Sequence, residues 1–199
     1  MNKFTKSQVI IFEGMERCGK DTQIELMKSA HPEFAFRVMH FSNVKGLNAD
    51  ETREYSKTLY RRTFSLMDFC IAVHDQHLIL NRAHLGETVY GKIYRGYEGN
   101  YVYDIEKQFK RVVDNVSLIV LVDEPENVMS REDGESLSEG KIDQISQEKE
   151  RFELAYKKSI INHKTLININ NKDIDTVKLE IESFVSGERK EIKHIPHIM

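Results

Sequence analysis

The stretch FEGMERCGKDTQ, residues 12–23, contains the pattern G-x-x-x-x-G-K between an apolar run and a segment of helical composition. Gly14 and Gly19 are five positions apart, and Lys20 follows directly. With a strand before it and a helix after it, this spacing is typical of a phosphate-binding loop, or P-loop. The backbone N–H groups of such a loop converge with the helix N-terminus on one point of positive potential. The sequence therefore predicts a site for the phosphates of a nucleotide.

Asp21 departs from the usual pattern, in which a Ser or Thr hydroxyl after the lysine binds Mg²⁺. Two interpretations stay open. The Asp21 carboxylate is a magnesium ligand, since hard cations prefer such oxygens, or it only caps the helix. Thr22 follows and is a candidate phosphate contact.

Outside this loop, short β-rich runs alternate with segments of helical composition. The predicted strands are 8–13, 34–41, 77–82, 117–124 and 165–170, and the predicted helices are 20–30, 50–70, 104–116, 141–160 and 171–185. This alternation predicts an α/β fold with a five-stranded parallel sheet and helices on both faces. In the second helix, Tyr55, Leu59, Leu66 and Cys70 are expected to share the buried face.

The composition favours one globular domain. The chain has 199 residues, a formal net charge of −3 and 40% hydrophobic residues, so neither a nucleic-acid-coating role nor a membrane span is expected. We see no secretory signal, and two cysteines give no disulfide framework, so a cytoplasmic location is expected. Two H-x-x-H pairs, His74 with His77 and His194 with His197, have no cysteine nearby, and we predict no zinc site.

Four segments together resemble thymidylate kinases. Residues 12–23 resemble that family's pattern F/L-E-G-x-D-x-x-G-K-[ST]-T-Q, and NRAHLGETVYGKIYRG (81–96) is similar to its Asp-Arg-aromatic segment, most of all in phage-type members. VDEPENVMSRED (122–133) resembles the approach to the family's lid, and QISQEKERFELAYKK (144–158) resembles the helix after the lid. The similarity extends over residues 8–185.

The resemblance implies a P-loop kinase fold over residues 1–186, with a short lid at about 131–145 and a flexible tail at 187–199. It implies transfer of the γ-phosphoryl group of ATP, with Mg²⁺, to the 5′-phosphate of a deoxynucleoside monophosphate. The expected acceptor is dTMP or a related pyrimidine nucleotide. The partners are then small nucleotides, with no nucleic acid and no membrane, in the cytoplasm (of the host, if the chain is viral). A homodimer is an open alternative.

Arg17 is the expected cation at the transferred phosphoryl group. In one class of the family an arginine of the P-loop has this role, and in the other class the arginine comes from the lid. The lid segment 132–144 contains no arginine and one lysine, Lys141, which agrees with the first class. The alternative is that Arg17 is an exposed loop arginine.

Three further residues receive roles from the resemblance. Arg82 matches the arginine that contacts the acceptor phosphate, and its alternative is an ion pair at a strand end. Glu16 matches an Asp that reaches the 3′-hydroxyl of the acceptor sugar, and Arg131 matches an arginine near the donor nucleotide. The complete expected ATP site is Gly14, Glu16, Arg17, Cys18, Gly19, Lys20, Asp21, Thr22 and Arg131.

Asn81 is the second departure, because the family has an Asp at this place near the metal's water shell. We hypothesise a paired exchange in which the carboxylate moved from position 81 to Asp21, leaving similar charge around Mg²⁺. Asp21 and Asn81 are therefore the predicted metal residues.

The acceptor pocket is less well determined. Phe64 is the candidate that stacks on the base and Phe69 is the second, although each is equally explained as a core residue. Thymidylate kinases read the pyrimidine with an arginine one turn beyond the stacking ring, and that place holds Asp68 here. Arg61 and Arg62, one turn earlier, are the substitutes.

The remaining acceptor candidates follow the second and third strands. Phe41 and Lys45 lie where the family has its acceptor-phosphate loop, and Glu87 and Tyr90 are expected to line the pocket. Glu87 is expected either to exclude a ribose hydroxyl or to bind donors of the base.

Two other functions remain possible from the sequence. The same loop serves kinases that act on nucleosides, modified bases or polynucleotides. Asp21 and Asn81 instead favour a switch that binds ATP without phosphorylating an acceptor.

Overall fold

The computed structural model describes residues 8–40, 46–73, 76–134 and 136–187. Its strands are β1 (Val9–Gly14), β2 (Arg37–His40), β3 (Leu78–Asn81), β4 (Ser117–Val122) and β5 (His163–Asn168). Its helices are α1 (Lys20–Ala30), α2 (Ala49–Ala72), α3 (Leu85–Tyr94), α4 (Tyr101–Gln108), α5 (Lys110–Asn115), α6 (Pro125–Ser130), α7 (Ile142–Lys158) and α8 (Ile174–Ser186). Among the described helices, none combines the length and the apolar content needed to cross a membrane.

The strands form one parallel sheet in the order β2-β3-β1-β4-β5. Every residue of β1, β3 and β4 is buried, which explains why these strands are almost continuously apolar in sequence. The predicted five-stranded parallel α/β fold is confirmed. Because the strands run parallel, the loops after β1, β3 and β4 meet at one edge of the sheet.

Two helix starts have the caps that their sequences indicate. Asn48 and Glu51 form a reciprocal capping box at α2, with both hydrogen bonds at 3.0 Å. Asp173 caps α8 and accepts a hydrogen bond from the N–H of Thr176 at 2.7 Å.

Several predicted boundaries were wrong. The run 34–41 gives only a four-residue strand, because Pro32–Phe34 forms a 3₁₀ turn before it. The predicted helix 104–116 is two helices, since Phe109 adopts a non-helical ψ of 65° between them. Helices α3 and α6 were not predicted.

The apolar face predicted for α2 is confirmed only at Cys70, which is buried. Tyr55 is 46% exposed and Leu66 is 37% exposed. The residues that α2 buries are Thr52, Ser56, Tyr60, Thr63, Phe64, Met67 and Cys70.

The segment predicted as a lid connects α6 to α7. Its described part includes turns around Glu132, which accepts hydrogen bonds from the Gly134 N–H at 2.8 Å and the Ser136 hydroxyl at 2.5 Å. Movement of this lid stays a prediction. Apart from Gly187, the predicted flexible tail lies outside the described residues.

Candidate active site

The loop after β1 is shaped by close backbone contact with β4. Gly14 has a φ of 130°, and a Cβ atom there would lie 1.9 Å from the Leu121 carbonyl oxygen. The N–H of Met15 donates to the same oxygen at 3.1 Å. Only glycine fits this position.

Lys20 opens α1 and lies inside this loop. Its side chain is 4% exposed, and its ammonium group donates to the carbonyl oxygens of Gly14, at 3.0 Å, and Met15. Burial lowers the pKa of Lys20, and the positive charge of Arg82 lowers it further. Phosphate oxygens are the natural partners for a cation in this place.

Arg17 occupies the tip of the loop with a left-handed φ of 57°. One terminal nitrogen, Nη2, contacts Glu132 Oε1 at 2.9 Å and also the carboxylate of Asp133. The other nitrogens, Nε and Nη1, are buried without a hydrogen-bond partner among the described residues. A guanidinium with spare donors beside a P-loop is suited to receive phosphoryl oxygens.

Arg82 follows β3 at the same edge, and its φ of 66° is stabilised by a 2.8 Å hydrogen bond from its N–H to the Phe12 carbonyl. Its Nη2 lies 3.7 Å from Glu16 Oε1, while the other Glu16 oxygen accepts the Leu137 N–H at 3.0 Å. Glu16 therefore lies between a cation of the site and the lid.

Asp21 and Asn81, the two departures from the family pattern, are in direct contact. Asn81 Nδ2 donates to Asp21 Oδ1 at 2.5 Å. The amide oxygen of Asn81 is buried and has no hydrogen-bond partner within the described ranges. The Asp21 carboxylate and the unpartnered amide oxygen of Asn81 are both ligand types that Mg²⁺ accepts, so the chemistry of the pair fits such an ion.

The described residues contain no group of three or more His, Cys, Asp or Glu side chains arranged to hold a metal ion. Magnesium does not require one, because it is commonly bound through one or two protein oxygens, water and substrate phosphates. Asp21 and Asn81 would supply the protein share.

A cavity of about 420 Å³ adjoins the loop on the α1 and α8 side. It lies between Thr22, Arg131 and the connection from β5 to α8. Arg131 is fixed by the carboxylate of Asp123 and by the Asn127 carbonyl at 2.9 Å. Burial raises the pKa of the adjoining Cys18 to about 12, so this thiol is not a nucleophile at neutral pH.

Comparisons with known proteins bear on the fold. No protein-family model and no curated protein sequence matches the chain. Among solved structures, thymidylate kinase from Candida albicans aligns with a TM-score of 0.65 at 14% identity, over 92% of each chain. Thymidylate kinase from Ehrlichia chaffeensis aligns with a TM-score of 0.60 at 16% identity, over 89% of this chain and 98% of that chain. The chain has the thymidylate kinase fold.

The YorR protein from Bacillus subtilis, solved in complex with phosphorylated GDP, also aligns, with a TM-score of 0.66 and 15% identity over 90% of this chain and 96% of that chain. The resemblance inferred from residues 12–23 and 81–96 is thus confirmed at the level of the thymidylate kinase fold. The phage-type similarity stays a prediction.

On this thymidylate kinase fold, the predicted phosphate residues do converge. Lys20, Arg17 and Arg82 come from the helix start, the loop and the third strand, and all three lie around the same loop. Gly19 begins α1 with a left-handed φ of 72° and is exposed at the loop surface.

The structure does not support Phe64, the first candidate for stacking on the acceptor base. Phe64 is fully buried, with its ring 4.9 Å from that of His84 and 5.6 Å from that of Phe109. It is a core residue without a free face, and its predicted stacking role is not supported. Phe69 is 58% exposed. Phe41 and Lys45 lie outside the described residues.

The role of the pyrimidine-reading candidates on α2 stays a prediction. Arg61 and Arg62 are exposed, and Asp68 lies 3.6 Å from Arg111 on α5. Tyr90, in contrast, is buried beside the P-loop, with its hydroxyl 3.5 Å from the Gly14 carbonyl.

Sequence reasoning missed Glu13, the last polar residue of β1. Its Oε1 accepts hydrogen bonds from the N–H groups of Ala83 at 3.1 Å, Leu85 at 2.7 Å and Gly86 at 3.3 Å. Burial raises its pKa. Glu13 therefore fixes the start of α3 and the segment that carries Arg82. Its position directly before the P-loop motif was the available signal.

Glu148 of α7 was also missed. It is 2% exposed, and its Oε1 accepts a 2.5 Å hydrogen bond from the Tyr94 hydroxyl. Burial raises its pKa to about 7, and the charge of Glu16 also raises it against the opposing effect of the Tyr94 hydrogen bond. Nothing in the local sequence distinguishes Glu148 from the exposed glutamates of the same helix.

Proposed function

We propose that the chain is an ATP-dependent nucleoside monophosphate kinase. It transfers the γ-phosphoryl group to the 5′-phosphate of a deoxynucleoside monophosphate, dTMP or a related pyrimidine nucleotide, and releases ADP. The thymidylate kinase fold supports this proposal, as do the neighbours in which thymidylate kinases are named.

The observation that carries the proposal is the convergence of Lys20, Arg17 and Arg82 on one loop beside a nucleotide-sized cavity. Phosphoryl transfer needs little covalent chemistry from a protein. It needs positive charge around the moving group and two substrates held in line.

Each cation has a distinct contribution. Lys20 exchanges the carbonyl oxygens of its own loop for β- and γ-phosphate oxygens. Arg17 leaves Glu132 and Asp133 for the transferred phosphoryl group, and Arg82 holds the acceptor phosphate. Magnesium, when bound, neutralises phosphate charge, and Asp21 with Asn81 would orient it.

The acceptor panel should be broad. The Candida albicans enzyme is described as having broad substrate specificity, and YorR was solved with phosphorylated GDP. Coupled ADP-release assays with all four dNMPs, modified pyrimidine monophosphates, nucleosides and single-stranded DNA separate the possible acceptors. We expect acceptor-dependent turnover with monophosphates only.

A pair of lysine variants provides the control. Lys20→Met should lower turnover by about 100-fold or more, because it removes a buried charge from the reacting phosphates. Lys28→Met changes a half-buried lysine of the same helix, which pairs with Glu25 at 2.8 Å, and should leave turnover unchanged. Unaltered ATP affinity and product formation in Lys20→Met would contradict the proposal.

A switch that binds ATP without transfer is the second candidate. The Asp21–Asn81 contact favours it, since an amide replaces the expected carboxylate at β3. ATP binding with no acceptor-dependent ADP release across the panel would support the switch. A homodimer and a cytoplasmic location remain predictions.

A further inference from the structure

Glu106 of α4 is a buried carboxylate that contacts the turn between β3 and α3. Its Oε1 lies 2.7 Å from Nε2 of His84, and both side chains are fully buried. Burial is the largest effect on the pKa of Glu106 and raises it, but the hydrogen bond and charge of His84, with the other donors, lower this pKa by more. The carboxylate is therefore ionised and only accepts, so the shared proton lies on His84 Nε2.

Glu106 also receives hydrogen bonds from the connection between α7 and β5. Its Oε1 accepts from the Ser159 hydroxyl at 2.7 Å, and its Oε2 accepts from the N–H of Ile160 at 2.8 Å. Three donors from two segments that are distant in sequence thus fix one carboxylate. Because no part of the Glu106 side chain is exposed, it cannot touch a substrate, and any part in a reaction must pass through His84.

The ring of His84 depends on this carboxylate for its orientation. Its other nitrogen, Nδ1, is buried without a hydrogen-bond partner within the described part of the chain, so Glu106 supplies the hydrogen bond that the ring makes there. Phe64 packs against the ring at 4.9 Å between centroids. The neighbouring carboxylate Glu87, which we expected at the acceptor pocket, is buried and already accepts from Arg95, Tyr97 and Tyr101.

Arg82, two positions before His84, depends on the backbone of this turn for the direction of its side chain. Its ion pair with Glu16 spans 3.7 Å, which is too long for a hydrogen bond. Its Nε is buried without a hydrogen-bond partner among the residues that the structure describes. Its left-handed φ of 66° is unfavourable for a residue with a Cβ atom, so neighbouring contacts must hold the turn.

Two buried carboxylates hold the turn from different sides. Glu13 accepts three backbone N–H groups of the segment 83–86, while Glu106 holds the ring of His84. The carbonyl of His84 accepts the N–H of Glu87 at 3.2 Å at the start of α3. Loss of the Glu106 contact would leave the bonds to Glu13 in place but free the His84 side chain, so the turn would lose one of its two attachments.

We propose that Glu106 is a positioning residue for the acceptor phosphate, and that it acts by holding His84 and thereby the direction of Arg82. This inference rests on the proposed kinase function, in which Arg82 binds that phosphate. A guanidinium displaced by about 1 Å loses much of its contribution to a reaction, although it stays charged. Without the Glu106–His84 contact the acceptor phosphate should therefore bind less tightly, whereas ATP and the acceptor nucleoside should bind as before.

Paired binding measurements on the full chain isolate the contribution of the acceptor phosphate. Calorimetry gives the dissociation constants of dTMP, thymidine, dGMP, deoxyguanosine and ATP, and we define the phosphate ratio as the nucleoside constant divided by the monophosphate constant. Glu106→Leu and His84→Leu each remove the contact, and the second leaves Glu106 with two donors if the first variant does not fold. Glu106→Gln is the conservative variant, and each change is also combined with Arg82→Met.

Two further variants are matched controls. Asp104→Asn removes an exposed carboxylate of the same helix, which pairs with Lys107 at 2.8 Å. Val112→Ala removes buried volume from α5 and so lowers thermal stability without altering the Glu106–His84 pair. Both variants should keep the phosphate ratio of the wild type, which separates a positioning role from a general loss of stability.

Arg82→Met should lower the phosphate ratio about tenfold or more, since it removes a hydrogen bond from a charged group. Glu106→Leu and His84→Leu should each lower it about fivefold, with Glu106→Gln between them and the wild type, while the dissociation constant of ATP stays the same. Combined with Arg82→Met, neither change should lower the ratio further, because a positioning residue acts only through the group that it positions.

An unchanged phosphate ratio in the folded Glu106 and His84 variants would overturn the assignment, as would a loss that persists beside Arg82→Met or that extends to ATP. The kinase proposal survives each of these results if the wild type releases ADP with a monophosphate. The expected pattern of ratios in a chain that releases no ADP would support the positioning role and refute the kinase. The two failures are therefore distinguishable.

Discussion

Replacing Glu148 by Gln is expected to remove a pH dependence from the free energy of unfolding. The Glu148 carboxyl is 2% exposed and lies beside Tyr94 and the charge of Glu16. Burial, the largest effect, raises its pKa from 4.5 to about 7, so the folded chain favours the protonated form.

The sign and size follow from proton linkage. Between pH 4.5 and 7 the folded state holds more protons at Glu148 than the unfolded state does, so stability falls as the pH rises through this window. Below the window the effect is absent, and above it the loss is complete. The shift corresponds to about 3 kcal/mol, at 1.36 kcal/mol per pKa unit. Gln at position 148 is neutral throughout and keeps an oxygen that can accept the Tyr94 hydrogen bond.

Denaturant unfolding at pH 5 and pH 8 measures the effect. The difference between the variant and the wild type should change by about 2.5 kcal/mol in favour of the variant from pH 5 to pH 8, since part of the effect already falls below pH 5. Other titrating groups are common to both proteins and cancel. Glu150→Gln, at an exposed position of the same helix, is the control and should show little change. A Glu148→Gln difference that is the same at both pH values would refute the reasoning.

Two further predictions concern the P-loop. Gly14→Ala should lower the free energy of unfolding by about 3 kcal/mol or more in denaturant unfolding, because its Cβ would overlap the Leu121 carbonyl. The Cβ of Gly19→Ala meets no atom within 4 Å, so this variant should lose only about 1 to 2 kcal/mol, from its left-handed backbone. Equal losses in the two variants would contradict this prediction. Asp21→Ser and Asn81→Asp should each weaken Mg²⁺ in a metal titration, and the double variant should recover affinity. Purely additive effects would show that the two residues are not a paired exchange.

The sequence was sufficient where the determinants are local. The P-loop, its strand and its helix lie within the continuous stretch from Val9 to Ala30, so their spacing predicts the geometry directly. The parallel sheet then places Asp21 and Asn81 at one edge, which the structure extends to a 2.5 Å contact. The hypothesis of a paired exchange thus concerns two residues that do meet.

Prediction failed on α2 because small polar residues are buried there. The Thr63 hydroxyl donates a hydrogen bond to the Leu59 carbonyl of the same helix at 2.9 Å. A hydroxyl satisfied in this way can enter a core at little cost. A search for apolar residues therefore selected Tyr55 and Leu66, which are exposed.

Helix α3 was missed for a different reason. It has no side-chain cap of its own, and the N–H groups at its start are satisfied by Glu13, 72 residues earlier than Leu85. A search for helix caps in neighbouring residues cannot find a capping residue so far away in the sequence. The same holds for Phe64, whose ring belongs to the core because His84 and Phe109, from distant segments, cover it.

Contacts between the P-loop and the segment 132–144 add to what the sequence of that segment indicates. The absence of arginine from segment 132–144 predicts only that the cation comes from the loop. The structure adds that lid carboxylates, Glu132 and Asp133, contact Arg17. Two carboxylates on one guanidinium leave a net negative charge beside the P-loop. Nη2 of Arg17 contacts these carboxylates while Nε and Nη1 have no partner among the described residues, so under the proposed kinase function one guanidinium joins the segment 132–144 to the transferred phosphoryl group.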